Sequence, residues 1–278
     1  MIDWTQRNVV ITGAASGIGE ALAHHLAGRG AGLLLADVDA ERLAAVVQSL
    51  RAKGASCEAL VTDVASRAAL QALADRAQAL WGGADVLINN AGVALVSPVH
   101  SLNEADARWL MEINFWGVVL GSQVFLPQLK ARPVAVIVNV SSIFAMISMP
   151  TQSIYNAAKA GVRAFSDALR EELRETSVRV LCVHPGGIRT RIAQQARLGD
   201  ISSVAGSAAE LHANFEHAAR TSAADAAAAI VQAIERDQTR LLIGIDARLG
   251  DWVFRLVPAR ASAWFSALAR WQRQRLKR

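Results

Sequence analysis

Short apolar runs, each closed by glycines, an acid or an amide and each followed by a helical pattern, constrain this chain most. Asn8-Val9-Val10-Ile11-Thr12 is the first run, and Gly13-Ala14-Ala15-Ser16-Gly17-Ile18-Gly19 follows it directly. Ile18, Leu22 and Leu26 then recur at helical spacing and stop at Gly28-Arg29-Gly30. Gly32–Ala36 ends in Asp37, Ala59–Val61 in Thr62-Asp63-Val64, and Asp85–Ile88 in Asn89-Asn90-Ala91-Gly92. Val134–Val140 precedes Ser142, Val178–Val183 precedes His184-Pro185-Gly186, and Arg240–Gly244 gives a last strand. Helical segments are expected between them, over 40–52, 66–81, 103–130, 151–174 and 223–236. Strands separated in this way pair in parallel through right-handed crossovers, which puts helices on both faces of one sheet.

The expected architecture is therefore α/β: a single-domain, Rossmann-type doubly wound parallel sheet over residues 1–250, with a basic amphipathic tail at 251–278. Ligands of such sheets bind beyond the carboxyl ends of the strands. Every polar cluster named above falls at that edge. A glycine turn between strand and helix lets backbone approach a pyrophosphate, which the free N–H groups of the helix start then bind. A lone glycine cluster can equally be a plain turn, so the context decides. Asp37, at the tip of the second strand, can hold the adenosine ribose hydroxyls and repel a 2′-phosphate. The bland alternative is a helix cap at 40–52, but Asp39 fits that cap better. No Arg or Lys lies in 14–17, so NAD is expected over NADP.

Tyr155 is the only tyrosine in 278 residues, and Lys159 follows one helical turn later on the same face. A phenol is a poor base at its reference pKa of about 10, but a neighbouring ammonium favours the phenolate. Ser142 can offer a hydroxyl to the same oxygen. By itself Tyr-x-x-x-Lys is more often an ordinary helix face.

These motifs together resemble the short-chain dehydrogenase/reductase family over about residues 5–245. They are Thr12-Gly13-x-x-x-Gly17-x-Gly19, Asn89-Asn90-Ala91-Gly92, Asn114, Ser142, Tyr155-x-x-x-Lys159 and Pro185-Gly186-x-x-x-Thr190. The resemblance implies Tyr155 as acid/base, Ser142 on the substrate oxygen, Lys159 on the nicotinamide ribose and lowering the tyrosine pKa, and Asn114 on a water relaying protons from Lys159. It also implies Gly13, Ser16, Gly17, Ile18 and Gly19 at the pyrophosphate, Asp63 and Val64 beside the adenine, and Asn90, Ala91 and Gly92 near the ribose. Pro185, Gly186, Ile188 and Thr190 would border the nicotinamide. The expected reaction moves a hydride between NAD and a hydrophobic secondary alcohol or ketone. The alternatives are an NADPH-dependent 3-oxoacyl thioester reductase, against which Asp37 counts, and a non-catalytic NAD-binding scaffold, against which the Asn-Ser-Tyr-Lys set counts. A homodimer or homotetramer is the expected assembly.

Relatives usually carry small residues and a glycine after the serine. Here Ile143-Phe144-Ala145-Met146-Ile147-Ser148-Met149 stands instead, either as core or as an apolar substrate wall with Val93, Leu95 and Gln152. A substrate lid is expected over about 190–220. His100 and His184 have no partner spacing, so no metal site is expected. Cys57 and Cys182 sit in apolar runs and read as buried thiols, which with the absence of a leader pattern suits the cytoplasm. No run of about 18 uncharged apolar residues suggests a spanning helix.

Charge is uneven. Of a net +5, residues 251–278 hold seven Lys/Arg against one Asp, or +6, leaving −1 for the body. Ala261, Trp264, Phe265, Leu268 and Trp271 share a stripe on a helical wheel, with Arg270, Arg273 and Lys277 opposite and Arg275 the exception. That helix can dock on its own subunit, at a dimer interface, or peripherally on an anionic membrane. No groove-reading or aromatic-basic platform supports nucleic acid.

Overall fold

A computed structural model describes residues 3–202, 205 and 207–267. Chain order runs β1 (Asn8–Thr12), α1 (Gly17–Ala27), β2 (Gly32–Asp37), α2 (Ala40–Arg51), β3 (Cys57–Val61), α3 (Arg67–Trp81) and β4 (Val86–Asn89). It continues through β5 (Leu95–Val96), α4 (Glu104–Met111), a π-helical turn (Glu112–Trp116), α5 (Gly117–Lys130), β6 (Ala135–Val140), α6 (Ser153–Glu172) and β7 (Val178–Pro185). The last part holds β8 (Ile188–Arg189), β9 (Arg197–Leu198), α7 (Ala208–Ala218), β10 (Thr221–Ser222), α8 (Ala223–Glu235), β11 (Arg240–Ile243) and α9 (Ile245–Leu256).

Seven strands make one parallel sheet in the order β3-β2-β1-β4-β6-β7-β11. Successive strand residues point to opposite faces, so each run feeds two cores. Val9 and Ile11 join Leu22 and Leu26 of α1, Leu43 of α2 and Ile230 of α8. Val10 joins Leu73 of α3, Phe125 of α5 and Leu169 of α6 on the other side. The single doubly wound domain expected from the sequence is what forms. The chain leaves β1 towards β2 on one side and resumes at β4 on the other, which opens a crevice above that switch point.

Helix starts follow their caps. Asp39 accepts from Arg42 N at 3.1 Å, Ser66 from Ala69 N at 3.3 Å and Asn103 from Ala105 N at 2.8 Å. Each such cap is worth about 1 kcal/mol. Segment 103–130 departs from a single regular helix, because the π turn inserts between α4 and α5 and turns Asn114 fully inward. By length and apolar content Glu104–Lys130 is long enough to cross a membrane. Its Leu110, Val118, Phe125 and Leu129 instead pack inside the domain. α9 runs through residue 250, so the expected division between body and tail falls within a helix, whose Ala247, Gly250 and Asp251 are buried.

Candidate active site

The turn after β1 is a cradle that side chains would fill. Gly13 and Gly17 have φ of +66° and +57°, in the left-handed region. A Cβ on Gly19 would lie 2.0 Å from the Gly13 carbonyl oxygen. Thr12 Oγ1 accepts from Asn90 N at 3.1 Å and Ala91 N at 3.2 Å, and Asn90 Nδ2 donates to the carbonyls of Thr12 and Gly13, both at 3.0 Å. Asn90, expected at the ribose, thus spends its amide nitrogen on the turn. Ser16 is extended and makes no side-chain cap to α1, so its hydroxyl does not compete with an anion for the helix-start N–H groups. The backbone approach and open helix start fit a dinucleotide pyrophosphate.

Asp37 is half-buried and fixed by two backbone donors, Ala15 N at 2.9 Å to Oδ2 and Asp39 N at 3.0 Å to Oδ1. Asp63 is exposed and accepts from Ala65 N, while Val64 is buried against Gly117. A groove of about 890 Å³ over the start of α1 is lined by Ser16, Gly17 and Thr190, and also by Arg42. That cation was not visible in the 14–17 segment; it comes from α2 and is paired with Asp39 at 3.3 Å. Thr190 closes on Gly17, whose Cβ would meet Thr190 Cγ2 at 3.0 Å, and Ile188 is buried beneath. Pro185 ends β7, and Gly186 N donates to Ile243 O at 2.9 Å.

Asn114, Ser142, Tyr155 and Lys159 gather on the far side of the crevice. Asn114 Oδ1 accepts from Val93 N and its Nδ2 donates to Val93 O, both at 2.8 Å, which fixes the amide completely. A Cβ on Gly92 would sit 3.3 Å from Asn114 Oδ1 and 3.4 Å from Lys159 Nζ, so a small residue there leaves those groups room. Ser142 Oγ accepts from Phe144 N at 3.1 Å, and the same side chain acts on the Tyr155 phenol to favour its ionised form. Lys159 is buried, donates to Val140 O at 2.9 Å and lies 5.9 Å from the centre of the Tyr155 ring.

Burial pushes the Tyr155 phenol above its ordinary 10, opposed by the bond to Ser142. This corrects the expectation of a tyrosine pKa lowered by the lysine. Desolvation instead brings Lys159 itself down to about 8, because the ammonium has left water for a single carbonyl.

The bulky residues after Ser142 divide. Ile143, Met146 and Ile147 are core with Ala247 of α9, whereas Phe144 and Met149 are only partly buried. Phe144 stands edge-on to Tyr155, ring centres 6.3 Å apart. Val93 and the buried Leu95 share an apolar cluster with Tyr155, and Gln152 precedes α6 without capping it. Phe144 and Met149 also line a cavity of about 610 Å³, together with Ser262 and Ser266. In the expected lid, β9 pairs with β5, and Arg197 lies 3.7 Å over the Trp109 ring while binding Asp106 at 2.6 Å.

The tail stripe splits as well. Ala261 is buried and Phe265 packs on the Ile143–Ile147 cluster, but Trp264 is exposed. Leu268, Trp271 and the basic residues after them lie outside the described residues.

Sequence reasoning missed two supports. Asn89 Nδ2 donates to Asn139 Oδ1 at 2.9 Å and to Ser122 Oγ at 3.1 Å, and Asn139 Nδ2 donates to Ser166 Oγ at 3.0 Å. An amide at or one residue before the end of each of two apolar runs was the available signal. Asp246, which accepts from Gly187 N at 2.5 Å, gave none.

Comparison with known proteins agrees with this geometry. The family description short chain dehydrogenase matches residues 7–200. A Mycobacterium tuberculosis protein named only provisionally as an oxidoreductase, SadH, is 40% identical over 252 residues, covering 89% of this chain and 90% of its own. The cis-4-hydroxycyclohexanecarboxylate dehydrogenase of Sinomonas cyclohexanicum is 40% identical over 66% of this chain and 74% of its own. A solved short chain dehydrogenase/reductase from Burkholderia phymatum in complex with NAD superposes with a TM-score of 0.82 at 31% identity, covering 92% of this chain and 96% of that one. Another solved relative was crystallised with NADP. On the matched family description and these relatives, the chain belongs to the short-chain dehydrogenase/reductase family of oxidoreductases.

Proposed function

We propose that the protein is an NAD-dependent dehydrogenase of hydrophobic secondary alcohols, with Tyr155 as the acid/base. The observation that carries this reading is the placing of Tyr155 beside a buried Lys159, 5.9 Å from its ring centre, with Ser142 and a fixed Asn114 in the same cluster. When bound, the cofactor supplies the hydride acceptor and, in its oxidised form, a positive ring charge. In oxidation Tyr155 takes the hydroxyl proton of the alcohol while Ser142 holds the same oxygen. Lys159, brought down to about 8 by burial, passes the proton on past Asn114. In reduction the raised Tyr155 pKa keeps the phenol protonated as a donor. Val93, Leu95 and Phe144 offer apolar surface around the reacting oxygen. A relative named for a ring alcohol supports a cyclic secondary alcohol as substrate.

NAD is favoured because Asp37 presents a carboxylate at the ribose end, and Arg42 is already engaged by Asp39. The test is turnover of cyclic, acyclic, steroid and terpenoid alcohols with NAD and NADP in parallel. Oxidation of hydrophobic secondary alcohols, faster with NAD, is expected. Turnover of only 3-oxoacyl thioesters with NADPH, or of nothing in the panel despite NADH binding, contradicts it.

A further inference from the structure

We infer that the outer face of α9 is a docking surface for an anionic lipid bilayer. Ile245, Leu249, Trp252 and Leu256 are 84, 56, 65 and 70% exposed. Their spacing of four, three and four residues puts them on one stripe along the helix. The opposite face is already used: Ala247 is buried, and a Cβ on Gly250 would touch Ile147 at 2.8 Å and Ile143 at 3.0 Å. The stripe is therefore surplus to the core of the subunit. Single exposed apolar residues are ordinary, but a contiguous row marks an interaction surface. Trp264, 56% exposed, adds a second tryptophan just beyond the turn that ends α9.

Charge identifies the occupant. Arg248 and Arg255 are exposed on the same helix. Its two acids are committed, Asp246 to Gly187 N and Asp251, buried, to Arg240 and Arg255. After residue 267 the chain adds Arg270, Arg273, Arg275, Lys277 and Arg278 and no acid. Two-fold pairing of this face with a second copy would bring the exposed arginines of α9 in the two copies together, which is costly. Anionic headgroups would neutralise them, while tryptophan and leucine enter the headgroup boundary. α9 also lies against the segment after Ser142 and holds Gly187, so docking would bring the substrate side close to the bilayer, where hydrophobic alcohols concentrate. The docking itself does not depend on the catalytic reading.

The test uses the full chain with vesicles of phosphatidylglycerol and phosphatidylcholine in equal parts, against phosphatidylcholine alone. Co-sedimentation with the anionic vesicles is expected at about 0.05 M salt and should weaken at about 0.5 M. Trp252→Ser with Leu256→Ser should lower binding at least about tenfold, and Arg248→Glu should lower it further. Thermal melting, mass in solution and turnover of a water-soluble alcohol should be unchanged, since none of these side chains is buried. The proposal fails if the protein stays in the supernatant with anionic vesicles at low salt, or if the double substitution leaves binding intact. It also fails if that substitution converts a dimer to monomers, which would make the face a contact between copies.

Discussion

The turn after β1 and the region after β6 sit on opposite sides of one crevice, yet different kinds of group hold them. At the turn, the contacts are mostly backbone: the Thr12 and Gly13 carbonyls take the Asn90 amide, and Asp37 takes two N–H groups. Beyond Ser142 they are side chains from remote segments: Phe144 against Tyr155, Ile143 against α9, Arg197 over Trp109. The first arrangement suits a ligand common to many enzymes, because backbone geometry barely changes with sequence. The second can be resized one side chain at a time, which is where substrate choice would be set.

The sharpest way to break this contrast is one small substitution on each side. Gly19→Ala places a methyl 2.0 Å from the Gly13 carbonyl, so NADH affinity should fall by more than about 100-fold, read by fluorescence titration. Phe144→Ala should leave NADH affinity unchanged and raise KM for the alcohol. Equal effects on both readouts would erase the distinction.

His184 probes the floor of the substrate side. It is fully buried with Nδ1 3.3 Å from the Ser142 carbonyl, and desolvation takes its pKa down to about 4. Since the folded pKa lies below the ordinary 6.5, the unfolded chain binds the extra proton between those values. Stability should therefore hold above pH 6.5 and drop as pH falls towards 4, by about 3 kcal/mol for this group. Thermal melts of the wild type and His184→Gln across that window should converge in acid; parallel curves would show that His184 does not titrate.

A smaller effect belongs to Asp37. Removing its charge by Asp37→Ala should shrink the proposed preference for NAD over NADP by about tenfold in kcat/KM, chiefly by weakening NAD. An unchanged ratio would move discrimination to Arg42 and its groove.

The same contrast explains what could be read from the residues alone. The glycine turn, the Asp39 cap and the Tyr155–Lys159 pair are local: each depends on spacing within one or two turns of chain. The sheet followed because each run carried two buried faces. Hidden were contacts between distant segments, such as Asp246 at Gly187 and Arg197 at Trp109, which no periodicity encodes. The tail wheel placed Trp264 and Phe265 together, but packing on Ile143–Ile147 turned Phe265 in and left Trp264 out. The direction of the Tyr155 shift was missed for a related reason, since burial depends on the whole fold.

The central claim is that Tyr155 moves the proton while other groups hold the cofactor. Tyr155→Phe keeps the ring and its contact with Phe144 but removes the ionisable hydroxyl, so turnover should be compared with NADH binding in the same preparation. The account predicts a fall in kcat of about 10²–10⁴ with NADH affinity retained. A near-normal kcat in this variant would contradict it.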